Sequence, residues 1–367
     1  MAVHKANSQK KFYFFIGTVA EFGKLTPIMR EFQKRKIKFQ IIDSGQNQIN
    51  YPDFKDYLGE IKPDIKLVTK TNKSSMMIFI YWVFQALFKG INIFWNEFHN
   101  LPREKVFIIV HGDTVTSTLG ALLGKLFHLK VVHVEAGYLS GNFLEPFPEE
   151  ICKTINSSLA DILFAPTDWA FKNIAKFKGV KVSTYFNTNI ESFWWAMKKK
   201  VNAPKFIKEG KYYLLIVHRQ EHVLFRKKWT KTNMQFVINN APKNLTCVLL
   251  NHPLTVEIIN SLNLGKRKIK IISQLTYPEF LKVLKGAEFI ATDSATIQQE
   301  AYYLGKPYLG LTDFSVQTEG IGQNAVISNS DFKIMGDFFK NYKLYQKKPI
   351  QMKKSPAKIV VDTLLKF

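Results

Sequence analysis

Residues 111–150 hold three ionisable clusters: His111-Gly112-Asp113-Thr114, His133-Val134-Glu135-Ala136-Gly137 and Pro146-Phe147-Pro148-Glu149-Glu150. The first two follow residues 106–110 and 130–132, short β-branched and aromatic runs with the pattern of buried parallel strands. Ligands of an open parallel sheet bind outside the carboxyl ends of its strands. Asp113 and Glu135 are therefore expected to face one cavity, with Glu149 joining from the start of the next helix. Carboxylates gathered this way repel one another, and partial burial raises the pKa of at least one, which suits a general acid or base near neutral pH. Helix capping is the competing reading. It is preferred for Glu150, in a first helical turn, whereas Asp113 and Glu135 are assigned to function.

A second group lies in the other half of the chain. His218-Arg219-Gln220-Glu221-His222 follows the apolar run 212–217, so an imidazole and a guanidinium sit at a strand's carboxyl end. Arg219 suits a diphosphate, and His218 suits proton transfer or a phosphate hydrogen bond. Residues 289–300 read as strand, short polar turn and helix. Free N–H groups at that helix start, in the stretch Ser294-Ala295-Thr296, form an anion site with the Ser294 hydroxyl. Glu300, about two turns in, would reach ribose hydroxyls of the same nucleotide. Asp293 and Ser294 could instead only cap the helix, a role compatible with phosphate binding.

These residues need a scaffold. Strand-like runs at 12–16, 39–43, 106–110, 131–134, 162–165 and 180–186 alternate with helix-like runs, and repeated β-α alternation implies a parallel sheet with right-handed crossovers. A basic, Pro-containing stretch at 198–211 interrupts the pattern and is read as a linker. The alternation restarts at 212–217 and continues at 247–250, 269–272, 289–291 and 307–311. The fold class expected is α/β: two Rossmann-like domains with parallel sheets facing across a cleft, the GT-B arrangement. Residues 1–200 make the first domain and 201–350 the second. The amphipathic helix in 351–367 packs back on the first.

The 367 residues carry 52 Lys and Arg against 29 Asp and Glu, a formal charge of +23 that calls for an anionic partner or surface. No zinc-finger spacing, helix-turn-helix or aromatic sheet motif supports nucleic acid. Cys152 and Cys247 lack metal or redox spacing and read as buried thiols of a reducing compartment. Residues 1–11 are polar and basic without a secretory apolar core, so the cytoplasm is expected. Residues 74–88, extended by 91–95, are apolar on nearly every face. Lys89-Gly90 divides them into pieces shorter than the roughly 20 residues of a spanning helix. A helix apolar all round is usually buried on both sides. A homodimer or core contact is the preferred covering, and the headgroup layer of an anionic membrane, at the inner face, is the other.

Taken in order, the motifs resemble the non-hydrolysing UDP-N-acetylglucosamine 2-epimerases along most of the chain. The matching segments are Gly17-Thr18 with Glu21, His111-Gly112-Asp113-Thr114, His133-Val134-Glu135-Ala136-Gly137, Gly141-Asn142, Pro148-Glu149-Glu150, Asn187-Thr188, His218-Arg219 with Glu221, Thr292-Asp293-Ser294, Gln298 with Glu300, and Leu304-Gly305-Lys306-Pro307. The resemblance implies a GT-B fold and a UDP-sugar substrate, with no cofactor and no catalytic metal. It implies removal of the C2 proton, expulsion of UDP to give a glycal, and return of UDP with C2 inverted. By the same resemblance Asp113, Glu135 and Glu149 are the acid/base set and His218 with Arg219 handles the leaving group. Ser294 would bind phosphate, Glu300 ribose, and Phe280 the uracil.

The chain departs from the family pattern mainly where phosphate is met. Val19 and Ala20 stand where the family has Arg and Pro. Ala295 and Thr296 replace two glycines, Leu139 replaces an arginine, and a late segment reads Gln317-Thr318-Glu319-Gly320. Because the acid/base carboxylates survive, the expectation is an epimerase of a UDP-2-acetamido sugar. The rival readings are a membrane-associated GT-B glycosyltransferase acting on a lipid-linked glycan, and a silent sugar-nucleotide sensor.

Overall fold

The computed structural model describes residues 10–69, 76–142, 148–219, 221–273 and 275–367. Residues 1–9 of the N-terminal stretch, Ser74, Ser75, Pro146, Phe147 and Gln220 lie outside the described residues. The chain divides into two compact units: Met1–Ser192 with Lys353–Phe367, and Phe193–Met352. The basic stretch 198–211 thus belongs to the second unit, where Phe206 packs edge-on against Tyr212.

Unit 1 holds a seven-stranded parallel sheet of order β3-β2-β1-β4-β5-β6-β7. Its strands are β1 (Lys11–Ile16), β2 (Gln40–Asp43), β3 (Ile65–Lys66), β4 (Val106–His111), β5 (Lys130–Val134), β6 (Ile162–Ala165) and β7 (Val180–Ser183). Every residue of β4 is buried, which is why a continuous apolar run encodes it. Strand order reverses between β1 and β4, and such a switch point leaves a crevice at the carboxyl ends. Four helices matter to the site and its surroundings: α1 (Val19–Lys34), α2 (Met76–Phe98), α3 (Val115–Leu126) and α4 (Glu149–Leu159). Helix α1 opens on a capping box between Thr18 and Glu21, and α3 is capped by the Thr114 hydroxyl, so both start immediately after their strands.

Helix α2 differs from its expectation in two ways. It runs unbroken through Lys89-Gly90, because Gly90 lies against the Leu123 side chain of α3 and needs the missing Cβ there: an added carbon would sit 2.6 Å from Leu123 Cδ1. It is also buried on one side only. Trp82, Ala86, Phe94 and Phe98 enter the core, the Trp82 indole donating to the Ser44 carbonyl at 3.1 Å. Met77, Ile80, Tyr81, Phe84, Phe88 and Trp95 are exposed. Among the described residues this is the one helix long and apolar enough to cross a membrane, yet its inner face is packed against unit 1.

Unit 2 holds a six-stranded parallel sheet of order β10-β9-β8-β11-β12-β13. The strands are β8 (Tyr212–Ile216), β9 (Thr246–Leu250), β10 (Ile269–Ile272), β11 (Ile290–Thr292), β12 (Tyr308–Gly310) and β13 (Ala325–Ile327). Its switch point falls between β8 and β11, at the two strand ends that carry His218 and Ser294. Helices α5 (Tyr277–Gly286) and α6 (Ala295–Leu304) flank that end. The last helix, α7 (Pro356–Lys366), returns to unit 1, where Asp362 pairs with Arg35, the C-cap of α1, at 2.5 Å and Glu191 accepts from the Ala357 N–H at 2.9 Å. Both sheets belong to the α/β, two-Rossmann-unit class read from the sequence.

Candidate active site

The loops after β4 and β5 place Asp113 and Glu135 beside two lysines. Lys153, on α4 and buried, lies 3.2 Å from Asp113. Lys24, on α1, reaches both oxygens of Glu135 at 2.9 Å, and Asn187 donates a short hydrogen bond to the same carboxylate. For Asp113 and Glu135 this reverses the raised carboxyl pKa expected from burial and mutual repulsion. Burial alone would push both groups up, but the lysines, joined by His111 and, at Glu135, by the Asn187 hydrogen bond, more than offset it and hold Asp113 and Glu135 below their ordinary values. Both are therefore ionised at neutral pH, prepared to accept a proton rather than to donate one.

Around them sit two imidazoles without charge at neutral pH. Burial lowers the pKa of His111 and of His133 to about 4. His111 Nε2 approaches Glu135 Oε2 to 3.5 Å and makes no full hydrogen bond. His133 is tied to the Gly112 carbonyl at 2.8 Å and to the Ser157 hydroxyl at 3.2 Å, so it shapes the Asp113 loop from beneath. Glu149 stands half-buried in the first turn of α4. Glu150 lies in the first turn of α4, as the sequence suggested, but makes no capping hydrogen bond there; its carboxylate accepts from the N–H groups of Ser140 and Gly141, each at 2.9 Å, and pins that loop.

Glu135 is held at φ 64°, a left-handed backbone that costs a non-glycine residue free energy and recurs at functional sites. Gly137, two residues on, has φ 96° and faces the Ala170 carbonyl, where a Cβ would sit at 2.1 Å. Gly137→Ala is expected to lower stability by roughly 3 kcal/mol in denaturant melts, since both backbone angle and space exclude a side chain. Wild-type stability in that variant would show that the loop re-forms freely.

At the carboxyl end of the unit 2 sheet, Asp293 organises the loop after β8. Its oxygens accept from the N–H groups of His218 (3.1 Å) and Arg219 (3.0 Å) and meet His222 Nδ1 at 3.0 Å. Ser294 is the N-cap of α6, its hydroxyl accepting from the Ile297 N–H, with Ala295 and Thr296 in the first turn of the helix. Phe280 is half-buried on α5. Glu300 is buried and accepts a 2.7 Å hydrogen bond from the Tyr277 hydroxyl; burial raises its pKa to about 7 against that bond. A carboxyl raised in the folded state stabilises fully below its unfolded value of 4.5, and that contribution is lost as pH climbs through about 7. Stability is thus expected to fall by about 3 kcal/mol between those pH values. Glu300→Gln should flatten this part of the profile in thermal melts; an unchanged slope would remove Glu300 as its source.

The family described as UDP-N-acetylglucosamine 2-epimerase matches residues 30–335. This chain belongs to the UDP-N-acetylglucosamine 2-epimerase family. It is 28% identical to the UDP-N-acetylglucosamine 2-epimerase of Methanocaldococcus jannaschii over 95% of this chain and 98% of that one. It is 30% identical to the enzyme of that name from Methanococcus maripaludis over 88% of each. Among solved structures, the M. jannaschii UDP-GlcNAc 2-epimerase in complex with UDP-GlcNAc and UDP aligns with a TM-score of 0.76 at 25% identity, covering 96% of this chain and 99% of that one.

As a family member the chain shows two features that its sequence alone did not reveal. Lys24 and Lys153 were missed because isolated lysines in amphipathic helices read as solvated charges. The signal was available: Lys24 is one turn from Glu21 at the helix start after β1, and Lys153 one turn from Glu149. The altered late segment is also built in. Gln298 donates to the carbonyls of Gln317 (2.8 Å) and Glu319 (3.0 Å), and Gln299 to their side chains, so amides of α6 bind residues 317–319 to the helix.

Proposed function

We propose that this epimerase-family chain inverts C2 of a UDP-2-acetamido sugar, of the UDP-GlcNAc to UDP-ManNAc type, by eliminating UDP and adding it back. The observation that carries the reading is the pair of lysine-partnered carboxylates, Asp113 and Glu135, at the ends of neighbouring strands. No carbonyl adjoins C2, so its proton is hard to remove and needs a positioned base. As a carboxylate takes that proton, the C2–H electron pair becomes the C1=C2 bond and the C1–O pair leaves on the β-phosphate. His218, Arg219, the Ser294 hydroxyl and the first N–H groups of α6, at Ala295 and Thr296, stabilise the departing charge. Glu300 holds ribose and Phe280 the uracil.

Inversion then requires a proton delivered to the opposite face of C2 as the phosphate oxygen returns to C1. An ionised Asp113 or Glu135 takes the first proton, the carboxyl facing the other side of C2 must be protonated before it delivers the second, and the neutral His111 beside Glu135 offers a route by which protons are exchanged and the starting charges restored. The family match favours this reading over a glycosyltransferase. Incubation with UDP-GlcNAc in heavy water is expected to erase the C2 proton signal and yield the manno product by NMR. Retention of that proton in every UDP-2-acetamido sugar tested, with UDP bound, would overturn the proposal.

We further infer that a second copy of the chain, rather than an anionic bilayer, covers the exposed face of α2. Helix α3 packs on α2 and exposes Leu122 and Leu126 as well. Lys89 is the one charged residue among the exposed positions from 77 to 96. A helix lying in an anionic headgroup layer carries a band of cations beside its apolar face, which this one lacks. Cytoplasmic residence belongs to the same proposal, supported by Cys152 and Cys247 as buried free thiols. Sedimentation is expected to give a dimer that the double change Phe84→Glu, Phe88→Glu converts to monomer. A wild-type monomer, or flotation of the wild type with phosphatidylglycerol vesicles at physiological salt, would refute it.

A further inference from the structure

Strands β8 and β9 lie side by side in register, Leu214 beside Val248, so the loops leaving their carboxyl ends are neighbours. The first carries His218 and the second His252. Their rings stand 5.4 Å apart, centroid to centroid, at an interplanar angle of 35°. The Leu254 N–H donates to His252 Nδ1 at 3.3 Å, which makes that nitrogen the acceptor and leaves the proton of the neutral ring on Nε2. His252 is therefore a half-buried N–H donor whose orientation is set by its own turn.

We propose that His252 is a second imidazole ligand of the nucleotide's diphosphate, acting beside His218; the inference rests on the UDP-sugar reading given above. Three observations support it. His218 lies at the switch point of the unit 2 sheet, where β11 also ends and α6 begins, and His252 stands beside it at the carboxyl end of the next strand, β9. Asp293, the carboxylate of that loop cluster, already has its oxygens occupied by the His218 and Arg219 N–H groups and by His222. Burial and the neighbouring His218 disfavour protonation of His252 and outweigh the opposite pull of Asp293. Two imidazoles whose rings lie this close can both donate to an anion bound between them, and a diphosphate offers oxygens to both. The ligand class is a nucleoside diphosphate or its sugar ester.

Calorimetric titration of the full-length protein with UDP, UMP and uridine tests this in wild type, His252→Ala and His252→Gln. A hydrogen bond to a charged phosphate predicts that His252→Ala weakens UDP about tenfold or more. UMP should lose less and uridine nothing, while His252→Gln, which keeps an N–H donor, should recover part of the UDP affinity. Unchanged UDP binding in His252→Ala, or equal losses for UDP and uridine, would overturn the role of His252 and leave the epimerase reading intact. Failure of the wild type to bind UDP or uridine would overturn both.

Discussion

Asp113→Asn, and separately Glu135→Gln, are expected to lower kcat on a UDP-2-acetamido sugar about a thousandfold, the usual weight of a positioned acid or base. Each change keeps the shape and hydrogen-bonding capacity of the side chain and removes its ability to take a proton. Both residues lie in unit 1, whereas the proposed nucleotide ligands lie in unit 2, so UDP affinity should change little. The informative comparison is therefore turnover against UDP titration on the same preparation, with C2 exchange in heavy water as a third readout. Near-normal turnover in either variant would remove that residue from proton transfer. Equal loss of turnover and UDP binding would point to collapse of the fold instead.

Lys24→Met is expected to act through Glu135. In the wild type the carboxylate is held below its ordinary value of 4.5, so activity that depends on its ionised form fades only as pH falls through that lowered pKa. Without the lysine, burial dominates and raises the pKa, so the acid limb of kcat/KM should move to higher pH. Turnover at neutral pH should drop more than tenfold and recover as the solution is made alkaline. Stability follows the same sign: the pair contributes above the unfolded pKa, and the contribution disappears as pH falls through the folded one. Lys24 and Glu135 have side chains only 17% and 7% exposed, so leaving the carboxylate alone at neutral pH should cost about 3 kcal/mol in denaturant melts. An acid limb that stays in place would show that Lys24 does not set the charge of Glu135.

Much of the architecture could be read from local pattern. Runs such as residues 106–110 are apolar throughout because their strand is buried on both faces, and the polar residues that end them mark the carboxyl edge of the sheet. The two-residue strand β3 and the three-residue β13 escaped notice because neither is long enough to establish a pattern. Charge state was the larger gap. The sequence places Asp113, Glu135 and Glu149 at one edge and implies mutual repulsion, but the lysines that reverse the shift arrive from α1 and α4, and only the three-dimensional packing brings them there. Helix α2 shows the same limit: composition indicates an apolar helix but not which side is packed, a matter settled by Trp82, Ala86 and Phe94 meeting unit 1 while Phe84 and Phe88 do not.

The return of α7 to unit 1 bears on how the protein is made. Ala357, Val360, Val361 and Leu364 are core residues of unit 1, yet they are synthesised after the whole of unit 2. During translation, unit 2 can finish folding while unit 1 still awaits the helix that pairs with Arg35 and caps onto Glu191. The half that carries Asp113 and Glu135 accordingly lacks part of its core until this helix is added. A chain cut before α7 would carry a complete second unit and an unsealed first one, open to chaperones and proteases.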